Sequence, residues 1–401
     1  MKRLRVVIAG GGIGGLSAAL MLASKGIEVH VLEQAAAFGE VGAGIQLSPN
    51  ATRVLFAVGL EAALKRVAFT PVAGETRHAK TGKVLAGFPL GAQIEARFGF
   101  PFLQVHRADL IALLADAARA QSRITLDTDS RVLGFEAHDD SVSVLCANLA
   151  VAPADVLIGA DGVHSLVREG LFGPESPRFT GNVAWRALVA AAQLPQGLVH
   201  PKATVWWGPA RHFVHYYVRR GELVNCVCVV EKSGWEIESW SEHGEFQELK
   251  AAFAGWHRDI HTLIDSMERD SLYKWALFDR APMAAWGKGR VSLLGDACHP
   301  TLPFMAQGAA MAIEDGAVLA GCLSHVRAQT DVRAALERYA ALRRARTAHI
   351  QRSSIRSGKL YHMRGLSARL RNAALRARRA KNPWESIYSY NALLSQGGRT
   401  Q

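Results

Sequence analysis

Residues 4–16 read Leu-Arg-Val-Val-Ile-Ala-Gly-Gly-Gly-Ile-Gly-Gly-Leu, an apolar, β-branched run that ends in a cluster of glycines. No other stretch constrains the fold as tightly. The run predicts a buried strand. Ile13, Leu16, Leu20 and Ala23 then recur at helical spacing, with Gly26 placed to stop the helix. Gly10, Gly12 and Gly15 satisfy G-x-G-x-x-G. Gly10 makes a tight turn, Gly12 lets backbone approach a pyrophosphate, and Gly15 lets the helix pack closely on the strand. The helix N-terminus directs its unpaired N–H groups at the phosphates. Residues 29–32 read as a second strand, and Glu33 follows, 18 residues after Gly15. An acid at about 20 residues holds the hydroxyl pair of a ribose, and its charge repels a 2′-phosphate. The adenosine expected here is therefore FAD-like or NAD-like, not NADP-like.

The same strand-to-glycine grammar recurs. Residues 155–158 run into Gly159-Ala160-Asp161-Gly162, with Arg168 beyond. Residues 290–294 run into Gly295-Asp296-Ala297-Cys298-His299-Pro300, and a loop leads to Gln307-Gly308 and a new helix. A glycine that opens a helix lets backbone N–H groups face an anion or a polarised carbonyl. His299 reads as shaping its His-Pro turn, with a catalytic role as the alternative. Between the first two units, Gly42-Ala43-Gly44 reads as a turn where backbone can approach a flat ligand or as a plain loop, and Ser48-Pro49 start a helix as N-cap and first residue. Arg107 stands before helical spacing from Asp109 to Leu114, either as a surface cation or as a phosphate contact.

Other segments read as sheet. Residues 70–105 read as strands and loops, and 124–126, 132–135 and 142–145 as a small antiparallel meander. From about 178 to 279 the composition shifts: seven of the nine tryptophans fall here, among alternating segments at 204–207, 213–218 and 223–230. Residues 219–222 join the last two as a hairpin. This is an inserted antiparallel sheet. On its strand near Phe213, period two puts His212, Val214 and Tyr216 on one face and His215 and Tyr217 on the other. Which pair points inward stays open.

Composition narrows the setting. At 401 residues the chain fits two domains or one with large insertions. The net charge of +12 comes from 47 basic and 35 acidic residues, without a nucleic-acid motif, so no nucleic-acid partner is expected. Five cysteines, an odd count with no C-x-x-C, fit a reducing compartment rather than a disulfide framework, and no metal site is evident. The basic, apolar start mimics a signal peptide, but the dinucleotide motif accounts for its glycines, and no stretch approaches the ~20 apolar residues that span a bilayer. A cytoplasmic protein is expected. The basic stretch from Arg364 to Lys381, with Met363, Leu366, Leu370 and Ala373 in one stripe, reads as a solvated helix packed on its own domain or a sister subunit. Contact with anionic lipid is the alternative.

The three glycine-centred sites, in this order, resemble the single-component FAD-dependent aromatic hydroxylases of p-hydroxybenzoate hydroxylase fold, over nearly the whole chain. That resemblance implies an α/β fold: a Rossmann-like FAD-binding domain (1–70, 106–177, 280–358), an inserted antiparallel β-sheet substrate domain (71–105, 178–279) and a C-terminal helical segment (359–401). It implies FAD contacts from Gly10, Gly12, Gly15, Glu33, Gly44, Arg107, Asp161, Gly162, Asp296, Pro303 and Gly308, with Pro300 and the 306–308 loop edging the flavin ring. It also implies hydride transfer from NADH or NADPH, with no separate domain for that co-substrate, then oxygen addition at flavin C4a and transfer of one oxygen to an electron-rich ring. Within the family, residues 42–50 and 305–315 carry a closer likeness to enzymes acting on 3-hydroxybenzoate, salicylate or 6-hydroxynicotinate. Those enzymes place a His and a Tyr four apart on a substrate-domain strand, matched by His212 and Tyr216, and a glutamine beside the flavin, matched by Gln307. A substrate-binding Asp of the 3-hydroxybenzoate type falls near His78. Monomer or homodimer is open. A flavin dehydrogenase, a halogenase or a non-catalytic flavin-binding protein are the other readings. Trp235 and Trp240 do not meet the W-x-W-x-I-P spacing of a tryptophan-type halogenase.

Overall fold

The opening run forms the strand Arg5–Ala9, and the helix Ile13–Ser24 follows directly from Gly12. Ile13, Leu16, Leu20 and Ala23 are buried, and so are most of their neighbours. The helix is apolar all round because it packs against both Gly308–Leu323 and Arg107–Arg119. The chain, in a computed structural model, is described over residues 4–39, 43–232, 234, 243–377, 382 and 384–394. Gly42 of the second glycine turn, Trp235, Trp240, and the basic Arg378, Arg379 and Lys381 lie outside the described residues.

The main sheet runs in the order Gly287–Lys288, Val291–Leu293, Val156–Gly159, Arg5–Ala9, Glu28–Leu32, Ile124–Asp127. Every pairing is parallel except that of Gly287–Lys288. Ala9 is in register with Leu32 and Gly159, and Gly159 with Leu293. The carboxyl ends of these strands therefore stop in one line, and the three predicted turns emerge side by side. Open parallel sheets bind their ligands along this edge.

The expected meander over 124–145 does not form. Ile124–Asp127 pairs parallel with Glu28–Leu32 and completes the main sheet, leaving Val132–Ala137 and Val142–Cys146 as a separate hairpin. A short alternating segment specifies its faces but not its partner.

The second sheet has seven strands, in the order Tyr273–Asp279, Arg178–Ala190, Leu223–Glu231, Arg211–Val218, Lys202–Gly208, Ala73–His78, Val84–Pro89. It is antiparallel except that Lys202–Gly208 runs parallel to Ala73–His78, a strand delivered by an earlier excursion of the chain rather than by a hairpin. The predicted turn at 219–222 is present. Its Arg219 grips Asp109 through two bonds of 2.9 and 2.8 Å, which ties the sheet to the helix Arg107–Arg119. Asp109 thus holds an ion pair to the second sheet from the helix's first turn. Residues 70–105 also contain a helix, Gly91–Phe98.

The C-terminal helices correct one expectation. Asp331–Tyr361 is a long helix, followed by Gly365–Ala377. The predicted apolar stripe of the latter faces outward: Leu366 and Leu370 are 71% and 63% exposed. Its inward face carries Arg371 and Asn372. Arg371 donates to the carbonyls of Leu360 and Tyr361 and lies 4.9 Å over the Trp207 ring. Unsatisfied carbonyls at a helix end attract a cation more strongly than two leucines attract an already filled surface.

Candidate active site

A cavity of about 1620 Å³ follows the carboxyl edge of the main sheet and continues beneath the second sheet. A site for one small molecule occupies ~300–1,000 Å³, so this one has room for a dinucleotide and a second ligand. Gly10, Gly12, Glu33, Arg107, Asp161, Gly162 and Asp296 all line it. Gly10 adopts φ +105°, and a Cβ there would lie 2.4 Å from the Ala160 carbonyl oxygen. Gly15 is absent from the lining. A Cβ there would sit 1.9 Å from the Gly10 carbonyl oxygen, so its role is to bring helix and strand together. Cβ atoms at Gly12 and Gly162 would meet nothing within 4 Å, which leaves a cradle of bare backbone open to the cavity. The Glu33 carboxylate accepts from the amides of Gly11 at 2.7 Å and Ala35 at 2.8 Å, which fixes it at the rim. Asp161 accepts from Ser165 Oγ at 2.5 Å and the Val167 amide at 3.1 Å; its burial outweighs those bonds and raises its carboxyl above the ordinary value. These groups fit an adenine dinucleotide laid along the sheet edge.

The other end is apolar and aromatic, with Phe88, Trp207, Trp275, Phe304 and Tyr361 in its wall. His212, Val214 and Tyr216 face it. His215 points to the opposite side, where it accepts from Trp206 Nε1 at 3.0 Å, and burial lowers its ring to about 3. Tyr217 donates to the Val199 carbonyl, also at 3.0 Å. The loop 303–308 belongs to both ends: Phe304 sits edge-on to His212 with centroids 5.2 Å apart, while Gly308 opens the helix that packs on Ile13–Ser24. Pro303, Gln307, Gly308 and Gly44 line the cavity. Pro300 does not; it is buried beneath the loop, and its carbonyl accepts from Gln351 Nε2 at 3.0 Å. His78 is likewise outside the lining, and Glu75 on the same strand is in it. His78 lies at the end of that strand, in register with Trp207, and Thr76 on the same face lines the cavity. Burial alone would raise the Glu75 carboxyl, but Lys202 at 2.9 Å and Arg77 at 2.6 Å bring it below its ordinary value.

Residues 3–354 match the family described as the FAD binding domain. The chain belongs to the FAD-dependent aromatic hydroxylases. It is 38% identical over 391 residues to 3-amino-4-hydroxybenzoate 2-monooxygenase PtnB3 of Streptomyces platensis, covering 97% of each chain. It is 39% identical over 393 residues to 3-hydroxybenzoate 6-hydroxylase of Polaromonas naphthalenivorans, covering 97% of this chain and 96% of the other. Among solved structures, a salicylate hydroxylase substrate complex superposes with a TM-score of 0.83 at 26% identity, covering 98% of this chain and 97% of that one. These relatives are monooxygenases, which favours that chemistry over the dehydrogenase and halogenase readings.

In this hydroxylase, sequence reasoning missed the network that holds Gln307. Its Nε2 donates to Ser48 Oγ at 3.0 Å, and its Oε1 accepts from Asn50 Nδ2 at 3.1 Å. Asn50 Nδ2 also donates to Glu314 at 2.6 Å, and Glu314 is paired with Arg343 at 2.8 Å and Arg346 at 2.7 Å. Asp315 takes Arg343 at 2.7 Å on one oxygen; the other meets His299 Nε2 at 2.5 Å and the Gly295 amide at 3.1 Å. The signal was there: an adjacent Glu314-Asp315 pair inside an otherwise apolar helix requires buried cations. Cys298, His299 and Asp315 place potential ligand atoms within 4.8 Å of one another, but both Asp315 oxygens are already engaged, one by a guanidinium. No helix among the described residues is long and apolar enough to cross a membrane.

Proposed function

We propose that this flavin-dependent monooxygenase hydroxylates a small aromatic acid that already carries a ring hydroxyl, with NADH or NADPH as reductant. The observation that carries the reading is the continuity of the cavity: an aromatic chamber faced by His212 and Tyr216 opens directly onto the glycine-built cradle through the loop 303–308. Bound FAD supplies the activation of oxygen. The protein supplies position, dryness and proton handling. Trp207, Trp275, Phe304 and Tyr361 shield the reacting ring from water. His212 is held neutral by its burial, with His362 beside it, so its ring is free to accept the proton of the ligand hydroxyl and enrich the aromatic ring in electrons. Burial keeps the Tyr216 phenol protonated, as a hydrogen-bond donor at the same wall. Two guanidiniums reach the chamber, Arg186 lying 4.0 Å over Trp275 and Arg376 from the helix Gly365–Ala377, and either suits a carboxylate.

A monomer or homodimer in the cytoplasm is the setting we propose. All five cysteines are free and buried, in keeping with a reducing compartment. The test supplies FAD-loaded protein with NADH or NADPH, oxygen and a panel of hydroxybenzoates and hydroxynicotinates. At least one is expected to accelerate reductant loss and gain an oxygen atom. A panel in which none does so rejects the substrate class.

A further inference from the structure

A line of side chains connects the His212 wall to the protein surface. His212 Nδ1 lies 2.8 Å from His362 Nε2. His362 Nδ1 lies 3.0 Å from Glu231 Oε1. The Glu231 side chain is 40% exposed, and its second oxygen accepts from Arg364 at 2.6 Å. The three residues come from separate elements: the strand Arg211–Val218, the residue after the helix Asp331–Tyr361, and the end of the strand Leu223–Glu231. Backbone bonds lock them in register, since the Ala210 amide donates to the His362 carbonyl at 3.0 Å and the Glu231 amide to the Ala210 carbonyl at 2.8 Å. Phe304 and Tyr361 stand edge-on to the His212 ring at 5.2 and 5.4 Å. The ring therefore meets aromatic neighbours, the cavity and His362.

We propose that His212, His362 and Glu231 form a proton relay that carries the hydroxyl proton of the bound aromatic ligand from the cavity wall to solvent. The proposal rests on the substrate class above. His212 Nε2 takes the proton; the O–H electron pair stays on the ligand oxygen, which becomes a phenolate. His212 then passes its Nδ1 proton to His362 Nε2, and His362 passes its own Nδ1 proton to Glu231, which releases it to water. Each imidazole starts and ends neutral with its tautomer exchanged, so the relay itself gains no charge and the negative charge rests on the ligand oxygen. The surroundings favour neutral rings. Burial and the neighbouring His362 lower His212; burial also lowers His362, where the Glu231 carboxylate opposes it and Arg364 and Arg371 add to it. His212 is the group that meets the ligand, and His362 and Glu231 act through it.

The test mixes FAD-loaded protein with 3-hydroxy-4-nitrobenzoate, a phenol whose ionised form absorbs visible light, in a stopped-flow instrument. Perturbation of the flavin spectrum reports binding separately. In the native protein ionisation is expected to keep pace with binding. His362→Gln and Glu231→Gln are expected to bind within about threefold of native but ionise the ligand ~10-fold or more slowly. Added imidazole is expected to restore the rate of His362→Gly in proportion to its concentration, a rescue that a merely structural role would not show. Glu231→Gln sits at the surface and keeps the relay testable should the His362 variants fold poorly. Native ionisation rates and an unchanged pH profile in both glutamine variants overturn the relay. A native protein that binds the probe without ionising it overturns the relay and leaves the substrate class standing. If the native flavin spectrum does not respond, the substrate class fails and the relay with it.

Discussion

Gly44 and Tyr216 meet across two different sheets: a Cβ added at residue 44 would lie 2.6 Å from Tyr216 Cε2 and 2.8 Å from its hydroxyl oxygen. The Gly44 amide also donates to Asn225 Oδ1 at 2.6 Å. The absent side chain is what lets the nucleotide unit lie flush against the substrate wall. Gly44→Ala is expected to push Tyr216 aside at an overpacking cost of ~1–3 kcal/mol. The measurable result is a rise in KM for the aromatic ligand that exceeds any loss of bound FAD, with both read on the same preparation.

Gly12 offers the cleanest test of the cradle. Its φ of −73° suits any residue, and a side chain there would project into open cavity. Gly12→Val is expected to fold with a native circular dichroism spectrum and to emerge colourless. Gly10→Ala should lose FAD for a different reason, because the added Cβ meets the Ala160 carbonyl oxygen and the backbone cannot move away. That variant is expected to lose thermal stability as well.

Arg343 bridges two buried carboxylates, and its removal leaves Glu314 paired with Arg346 and Asp315 with His299. Arg343→Leu is expected to cost ~3–5 kcal/mol in urea unfolding. Burial alone would raise both carboxyls. Arg346 and Arg343 reverse this for Glu314, and His299 and Arg343 for Asp315, so both folded values lie below the ordinary ones. A depressed carboxylate stabilises the fold fully above its unfolded value, about 4, and that contribution is lost as pH falls through the lower folded value. Native stability should therefore drop below about pH 4, and Arg343→Leu should show a weaker drop. Urea midpoints across that range check both statements.

Gln307 is held at both ends of its amide, by Ser48 and Asn50. Gln307→Leu would free the loop 303–308 and leave Ser48 without its donor. Since a misplacement of ~1 Å costs up to ~100-fold in rate, turnover with the best aromatic substrate should fall by ~10–100-fold while FAD content stays near native. A variant with native turnover would show that the loop holds its position without this amide.

The nucleotide unit was legible because its requirements are local. A left-handed turn at Gly10, a close approach at Gly15 and an acid at Glu33 each restrict a residue type within one short segment, and the three strand-to-turn units spelled the same grammar. The His212 and Tyr216 pair was legible only as a pair. Pro300 and His78 lie outside the cavity lining, which Pro303 on the same loop and Thr76 on the same strand join, because where a loop or a strand end leaves the cavity is set by its packing. The relay through His362 and Glu231 had no sequence signal, since its members lie 150 and 131 positions apart.

By itself, the sequence determined the cofactor-binding chemistry, the insertion of a tryptophan-rich sheet and the alternation of side chains along each strand. The tertiary structure decided which face of Arg211–Val218 meets the cavity, which face of Gly365–Ala377 is buried, and that Ile124–Asp127 completes the main sheet. Periodicity fixes side chains relative to one another. Only packing against partners distant in the chain, the Trp206 indole behind His215 and the helix-end carbonyls beneath Arg371, fixes which way the whole element turns.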